Sequence, residues 1–142
     1  MKHQVFFLEV PADCGFSAPI EAGMDALMMN YPAEADISQA SGSVTFVNFS
    51  RDAQQAMEMD AAGLMDYVSM VFLAYSGEYD ESERVIFGQH LKGRSFRKSI
   101  PRAATTEIFL LKGPEESLMA VGIVKNDDAA SELNEALERL LA

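Results

Sequence analysis

Residues 105–124 read TTEIFLLKGPEESLMAVGIV, two apolar runs separated by a segment rich in turn-forming residues. The first run, Thr105 to Lys112, has apolar side chains at consecutive positions, which makes both faces of a strand apolar: Ile108 with Leu110, and Phe109 with Leu111. The composition of Lys112 to Ser117 predicts a hairpin loop. Leu118 to Val124 then returns as a second doubly apolar strand, and strands joined by so short a loop pair antiparallel.

Further strands precede this hairpin. Residues 44–49, VTFVNF, follow a Ser-Gly-Ser turn at 41–43 and carry apolar side chains on both faces, which predicts a strand covered on both sides. Near the N-terminus, the run from Val5 to Val10 predicts one strand that Pro11 ends. The segment from Pro19 to Tyr31 fits both helical and strand spacing, and we interpret it as a strand.

Two segments have the period of an α-helix. From Asp60 onward one stripe is apolar, and Gly77 is placed to end the helix; the stripe is Leu64, Val68, Val71, Phe72 and Tyr75. The C-terminal segment repeats the spacing after a cap at Asn126 or Asp127, with the stripe Leu133, Leu137, Leu140 and Leu141. These patterns predict helices at about residues 60–75 and 127–141.

An antiparallel sheet flanked by these two helices places the chain in the α+β class, and no linker or repeat divides residues 1–142, so we expect a single domain. The order of elements resembles the PsbP-like superfamily, which includes PsbP, Mog and DcrB-like domains, over about residues 44–142. The best local resemblance is LKGRSFRKSIPRAATTEIFLLKGPEESLMAVGIV at 91–124. The resemblance implies a PsbP-like α/β sandwich. It also implies a protein-binding role, in some bacterial relatives that of an adaptor or chaperone for secreted effectors.

Charge is distributed unevenly along the chain. Residues 84–102 hold six of the eleven Lys and Arg residues and no Asp or Glu, in a chain of net charge −11. We call this stretch the basic island. The acidic segment before it, Glu78 to Glu83, is predicted to be a solvated connection, and Arg84 to Gln89 to open the next strand. Outside the basic island the acidic surface repels phosphate backbones, so nucleic acid is excluded as the expected ligand.

Three interpretations of the basic island stay open. It is an edge strand that shows charge to solvent, which discourages aggregation. Alternatively, it is a docking site for a carboxylate-rich segment or a phosphate, formed by Arg94, Arg97, Lys98 and Arg102. In the third interpretation it meets the acidic surface of a second copy and produces a homodimer.

The sequence offers no constellation for catalysis, metal or cofactor binding. His3 and His90 are the only imidazoles, and neither lies in a metal-binding motif. Cys14 has no neighbouring cation to lower the pKa of its thiol. The carboxylates of Glu78 to Glu83 lack the spacing and the central glycine of a calcium loop. We therefore expect no cofactor, no metal and no enzymatic activity.

Nine methionines suit either core packing or an adaptable apolar groove. The candidates for such a groove are Met24, Met28, Met29, Met57 and Met59. The lone Cys14 allows no internal disulfide, and the first apolar run is too short for a signal peptide, which together favour the cytosol. No apolar run approaches the roughly 20 residues that span a bilayer.

Two classes of function remain. The favoured one is a non-enzymatic cytosolic protein-binding module in a bacterium, an adaptor or chaperone-like protein linked to a secreted effector. Its binding residues would be Arg94, Arg97, Lys98 and Arg102 as a charged rim, and Met57 and Met59 as apolar contacts. The alternative is an immunity-type inhibitor whose acidic surface covers the active site of a basic toxin.

Overall fold

The computed structural model describes residues 2–23, 25–36, 39–50, 52, 54–55, 58, 60–73, 78–98, 103–129 and 131–142, with the backbone alone at 61, 71–73 and 98. The elements in this part of the chain are β1 (Lys2–Val5), β2 (Leu8–Pro11), β3 (Ile20–Glu21), β4 (Ala26–Tyr31), β5 (Gly42–Phe49), α1 (Ala61–Leu73), β6 (Asp80–Ile86), β7 (Gln89–Lys98), β8 (Ala104–Lys112), β9 (Leu118–Asn126) and α2 (Ser131–Leu140).

The main sheet has seven strands in the order β3-β4-β5-β9-β8-β7-β6, and every neighbouring pair is antiparallel. The predicted hairpin of β8 and β9 is confirmed, with Phe109 paired to Val121 in its register. On its other side β9 pairs with β5, where Phe46 also faces Val121. The segment that fitted two periods is extended, since it contains β3 and β4. The α+β class is confirmed.

The central strands bury side chains on both faces. On one face of the sheet Ile108 and Ala120 belong to an apolar core formed with Leu64 and Val68 of α1. On the other face lies a second core that includes Phe46, Phe109 and Val121 from the sheet, Leu133 and Leu137 from α2, and Val5 and Val10 from the β1–β2 hairpin. The protein is therefore an α/β sandwich, with α1 on one side and α2 with the small hairpin on the other.

The C-terminal helix buries its predicted stripe, since Leu133, Leu137, Leu140 and Leu141 all lie in the core. Its predicted start is wrong, because α2 begins at Ser131 and neither proposed residue caps it. Asn126 ends β9, and its side-chain amide donates to the carbonyl oxygen of Ala40 at 2.6 Å. The strand continues this far because β8 still pairs with it at Ala104.

Helix α1 begins one residue after Asp60, whose carboxylate accepts a hydrogen bond from the Gly63 N–H at 2.8 Å. This is the position and geometry of an N-cap. Leu64 and Val68 of the predicted stripe are buried. The remaining predicted members and the predicted end lie outside the described side chains and residues: Val71, Phe72, Tyr75 and Gly77.

Two expected elements turn out to be hairpins. The single strand predicted at Val5 to Val10 is instead two strands joined at Phe6 and Phe7, where Phe6 adopts φ 54°. Likewise, Glu78 to Glu83 is not a connection, since Asp80 onward forms β6, and the chain turns at Phe87 and Gly88 with φ 48° and 79°. Positive φ at both central residues matches the right-handed twist of a two-residue hairpin.

Apart from residues 84–86, which end the edge strand β6, the described part of the basic island does not lie in an edge strand. Its strand, β7, lies between β6 and β8, so the edges of the sheet are β6 and the two-residue β3. Gly93 lets β7 lie close to its neighbour, because a Cβ at this position would approach the Phe109 ring to 2.6 Å. The turn after β6 is fastened to the end of α2, where the Phe87 N–H donates to the carbonyl oxygen of Leu141 at 2.8 Å.

Replacing Leu137 by alanine tests whether α2 is integral to the fold. We expect Leu137→Ala to lower the free energy of unfolding by about 2–5 kcal/mol, because the side chain is buried in the core and its removal leaves a cavity. Urea denaturation measures the change. Glu138→Ala on the exposed face of the same helix serves as control and should stay within about 0.5 kcal/mol of the parent. A loss under about 1 kcal/mol for Leu137→Ala would show that α2 is peripheral.

Candidate functional site

Strand alternation divides the basic island between the two faces of the sheet. Arg94 pairs in register with Ile108, whose side chain lies in the core under α1, so Arg94 and Lys92 lie on the α1 side. Arg97, three residues further on, lies on the α2 side, as does Arg84 of β6. Residues that are neighbours in the sequence thus serve two separate surfaces.

Each described guanidinium or ammonium group of the basic island contacts a carboxylate. The pairs are Arg84 with Glu107, Lys92 with Glu83, Arg94 with Asp66, and Arg97 with Asp127. The side chain of Lys98 and the whole of Arg102 lie outside the described structure. A docking role for Arg94, Arg97, Lys98 and Arg102 stays a prediction, and for Arg94 and Arg97 it requires a partner to compete with an existing ion pair.

On the α2 side the ion pairs serve the fold. Glu107 on β8 is buried and accepts from Arg84 Nε at 3.2 Å, while Lys125 Nζ on β9 lies 3.4 Å from its other oxygen. Arg84 belongs to the edge strand, so its side chain reaches Glu107 across β7. A buried carboxylate requires such partners, because an unpaired buried charge is strongly destabilising.

On the α1 side Arg94 joins three elements. Its guanidinium pairs with Asp66 of α1 and lies over the ring of Tyr79, 4.4 Å from the ring centroid. The Tyr79 ring in turn contacts Phe96 of β7, with the centroids 5.7 Å apart. The aliphatic stem of Arg94 is covered, since its side chain is only 19% exposed. This cation–π and ion-pair arrangement fixes the residue just before β6 against the helix.

Three large apolar side chains of α1 and of the residue just before β6 are exposed. Tyr67 is 39% exposed, Met70 58% and Tyr79 47%. Asp66 and Met70 lie one helical turn apart, so they share a face of α1. We define the α1 patch as Asp66, Tyr67, Met70, Tyr79 and Arg94. Exposed aromatic and methionine side chains and an arginine are the residue types enriched at protein–protein contacts.

The structure describes only two of the five methionines that were predicted to line a groove. Met29 is fully buried in the core and cannot line a surface groove, and Met28 is half-buried. Met24, Met57 and Met59 lie outside the described residues. The sequence argument missed Met70 and Tyr67, although a signal for them exists: both are apolar and lie off the buried stripe of α1.

The residues considered for catalysis have ordinary surroundings. His90 is exposed and lies 3.5 Å from a carboxylate oxygen of Glu83 on the neighbouring strand. The Cys14 thiol is buried and donates to the carbonyl oxygen of Pro11 at 3.4 Å. Within the described ranges no three His, Cys, Asp or Glu side chains come close enough to hold a metal ion.

Comparison with solved structures identifies the fold. A mutant of the protein Mog1 aligns with a TM-score of 0.51 at 10% identity, over 99% of this chain and 84% of that one. The Saccharomyces cerevisiae Ran-binding protein Mog1p aligns at 0.50 and 11%, over 100% and 84%. LpqN, described as involved in cell envelope biogenesis of Mycobacterium tuberculosis, aligns at 0.49 and 12%, over 93% and 78%.

At these identities the likeness is one of fold alone, and the chain shares the fold of Mog1. No family model matches the sequence, and no curated protein matches it. Of the helices described, α1 and α2 are both too short to cross a bilayer.

A double-mutant cycle tests the contact at the centre of the α1 patch. We expect Arg94→Ala and Tyr79→Ala to show a coupling free energy of about 0.5–1 kcal/mol in urea denaturation, because each removes one half of the cation–π pair. The matched control pairs Tyr79→Ala with Arg97→Ala on the opposite face of the sheet. Coupling there should stay within about 0.5 kcal/mol of zero. Equal coupling in the two cycles would contradict the contact.

Proposed function

We propose that this chain is a non-enzymatic protein-binding module that acts as one domain over residues 1–142. The observation that carries the proposal is the α1 patch, in which Tyr67, Met70 and Tyr79 are exposed and Arg94 lies over the Tyr79 ring. Arg94 and Asp66 supply polar contacts at its centre, and the apolar side chains supply area. The Ran-binding protein Mog1p, which shares the fold, is consistent with this function.

The finer features of the proposal come from the sequence. We propose a cytosolic adaptor or chaperone-like protein of a bacterium, linked to a secreted effector. Arg94, Arg97, Lys98 and Arg102 are proposed as an electrostatic rim, and Met57 and Met59 as further apolar contacts. Arg94 lies in the α1 patch, whereas Arg97 lies on the α2 side and would meet a part of the partner that extends to that face. An acidic partner segment would approach the rim, and the apolar centre would provide most of the affinity. A homodimer through the rim is the competing use of the same cations.

An inhibitor of a basic toxin is the second candidate. It is favoured by the outward face of α2, where Glu132, Glu135 and Glu138 are exposed, and by the net charge of −11. Such a face would attract a cationic protein at a rate that falls as salt is added. The two candidates differ in the surface used, so variants of α1 and of α2 distinguish them.

Capture from lysate of the native host tests the proposed function. We expect the variant Tyr67→Ser with Met70→Glu to lose a captured protein that the parent retains. The affinity for that protein should fall roughly 30-fold, because about 2 kcal/mol of apolar contact is lost. Ile20→Glu is the matched control, because Ile20 is 46% exposed at the opposite edge of the sheet.

The identity of the affected partner is then read by mass spectrometry and its binding measured with purified components. If the variant Arg97→Glu with Lys98→Glu also loses binding, and its affinity depends less on salt, the rim contacts the partner as well. Equal capture by the parent, the α1 variant and the control would refute the α1 patch as a binding site. Loss only when Glu132, Glu135 and Glu138 are replaced by glutamine would favour the inhibitor.

A further inference from the structure

A concave surface lies on the α2 side of the sheet. It is a groove of about 820 Å³ between the β1–β2 turn, the end of β5 and the β8–β9 loop. The residues that matter for its chemistry are Phe6, Phe7, Asn48, Asp52, Glu115 and Glu116. They come from three segments far apart in the sequence, which is why no sequence motif points to the groove.

The walls of the groove are held in place by the fold. Phe6, Glu115 and Glu116 all adopt positive φ, at 54°, 55° and 63°, which costs a residue with a side chain free energy. Contacts hold the loop in this form: the Phe7 ring lies where a Cβ at residue 113 would be, 2.4 Å from its nearest atom. The side-chain amide of Gln54 also donates to the carbonyl oxygen of Glu116 at 3.1 Å. The groove is therefore shaped before any ligand arrives.

The rim of the groove is acidic. Asp52 and Glu115 are both exposed and form no ion pair with any residue that the structure describes. Glu116 adds a third carboxylate at the same rim. Because the chain as a whole carries a net charge of −11, the surrounding field reinforces this local charge. The ligand complementary to the rim is a cation.

The interior of the groove favours a cation on a carbon stem. Phe6 and Phe7 offer aromatic surface, which attracts an ammonium or guanidinium group and packs against methylene groups. The side-chain oxygen of Asn48 is buried and accepts no hydrogen bond from the described residues. The atom has no exposed surface, so a Lys or Arg donor would reach it only after the Asn48 side chain rotates.

We infer that this groove binds a Lys- or Arg-bearing segment of another polypeptide, with its charged head group between the rim carboxylates and its stem against the two phenylalanines. The site is separate from the α1 patch, which lies on the other face of the sheet. It gives the protein a second recognition surface of opposite charge preference to the basic island. Its test does not depend on the outcome for the α1 patch.

The test is a titration of the isotopically labelled full chain with the capped peptide GRGRG, followed by NMR. We expect the largest shifts at the amides of Phe6, Phe7, Asn48 and Ser117. The variant Asp52→Asn with Glu115→Gln should bind roughly fivefold more weakly, the combined effect of two solvent-exposed ion pairs. The control Glu21→Gln with Glu34→Gln removes the same charge from two exposed positions outside the groove and should bind as the parent does.

Four results would overturn the inference. The first is equal weakening in the groove variant and the charge-matched control, which would mean that net charge alone attracts the peptide. Unchanged binding by the groove variant is the second. The third is equal binding of the capped peptide GEGEG. The fourth is a shift of the same amides when the protein is concentrated without peptide, because the occupant would then be a second copy of the chain.

Discussion

Burial on both faces of the three central strands, β5, β9 and β8, is the constraint on which the structure depends. Consecutive residues such as Ile108 and Phe109 contribute to different cores, so neither face of this part of the sheet can be left in water without losing apolar burial, worth about 25 cal/mol per Å². One helix is needed on each side. The arrangement of α1, the sheet and α2 follows from that need, and the outer strands are then free to carry charge.

The sequence predicted the elements in which burial sets the period. The strands at residues 105–124 were predicted correctly because every second side chain of a strand faces the same core. The helix with the Leu133 stripe was predicted correctly because every third to fourth side chain of a helix does so. The hairpin turns at Phe6 and at Phe87 were not anticipated, since phenylalanine is not a residue that signals positive φ. The acidic residues of β6 suggested a loop because carboxylates are rare in strands, yet an edge strand accommodates them.

The candidate sites were less predictable, because tertiary partners decide them. The basic island is contiguous in sequence, but strand alternation sends Arg94 and Arg97 to opposite faces. Their carboxylate partners, Asp66 and Asp127, lie 28 and 30 residues away, on elements whose placement the sequence could not supply. The groove could not be predicted for the same reason, because its lining residues come from three segments far apart in the sequence. The α1 patch could have been predicted, because Tyr67 and Met70 are apolar and do not belong to the buried stripe of α1.

The two edges of the sheet are poorly suited to pairing with a strand of another polypeptide. β3 is two residues long and β6 carries several carboxylates, so neither edge is a favourable template for an added strand. Recognition is left to side chains, and main-chain hydrogen bonding contributes little. A surface of that kind can change its partner by a few substitutions while the backbone stays the same. Wide divergence of sequence on a constant scaffold is the consequence, in keeping with a fold shared with Mog1 at only 10% identity.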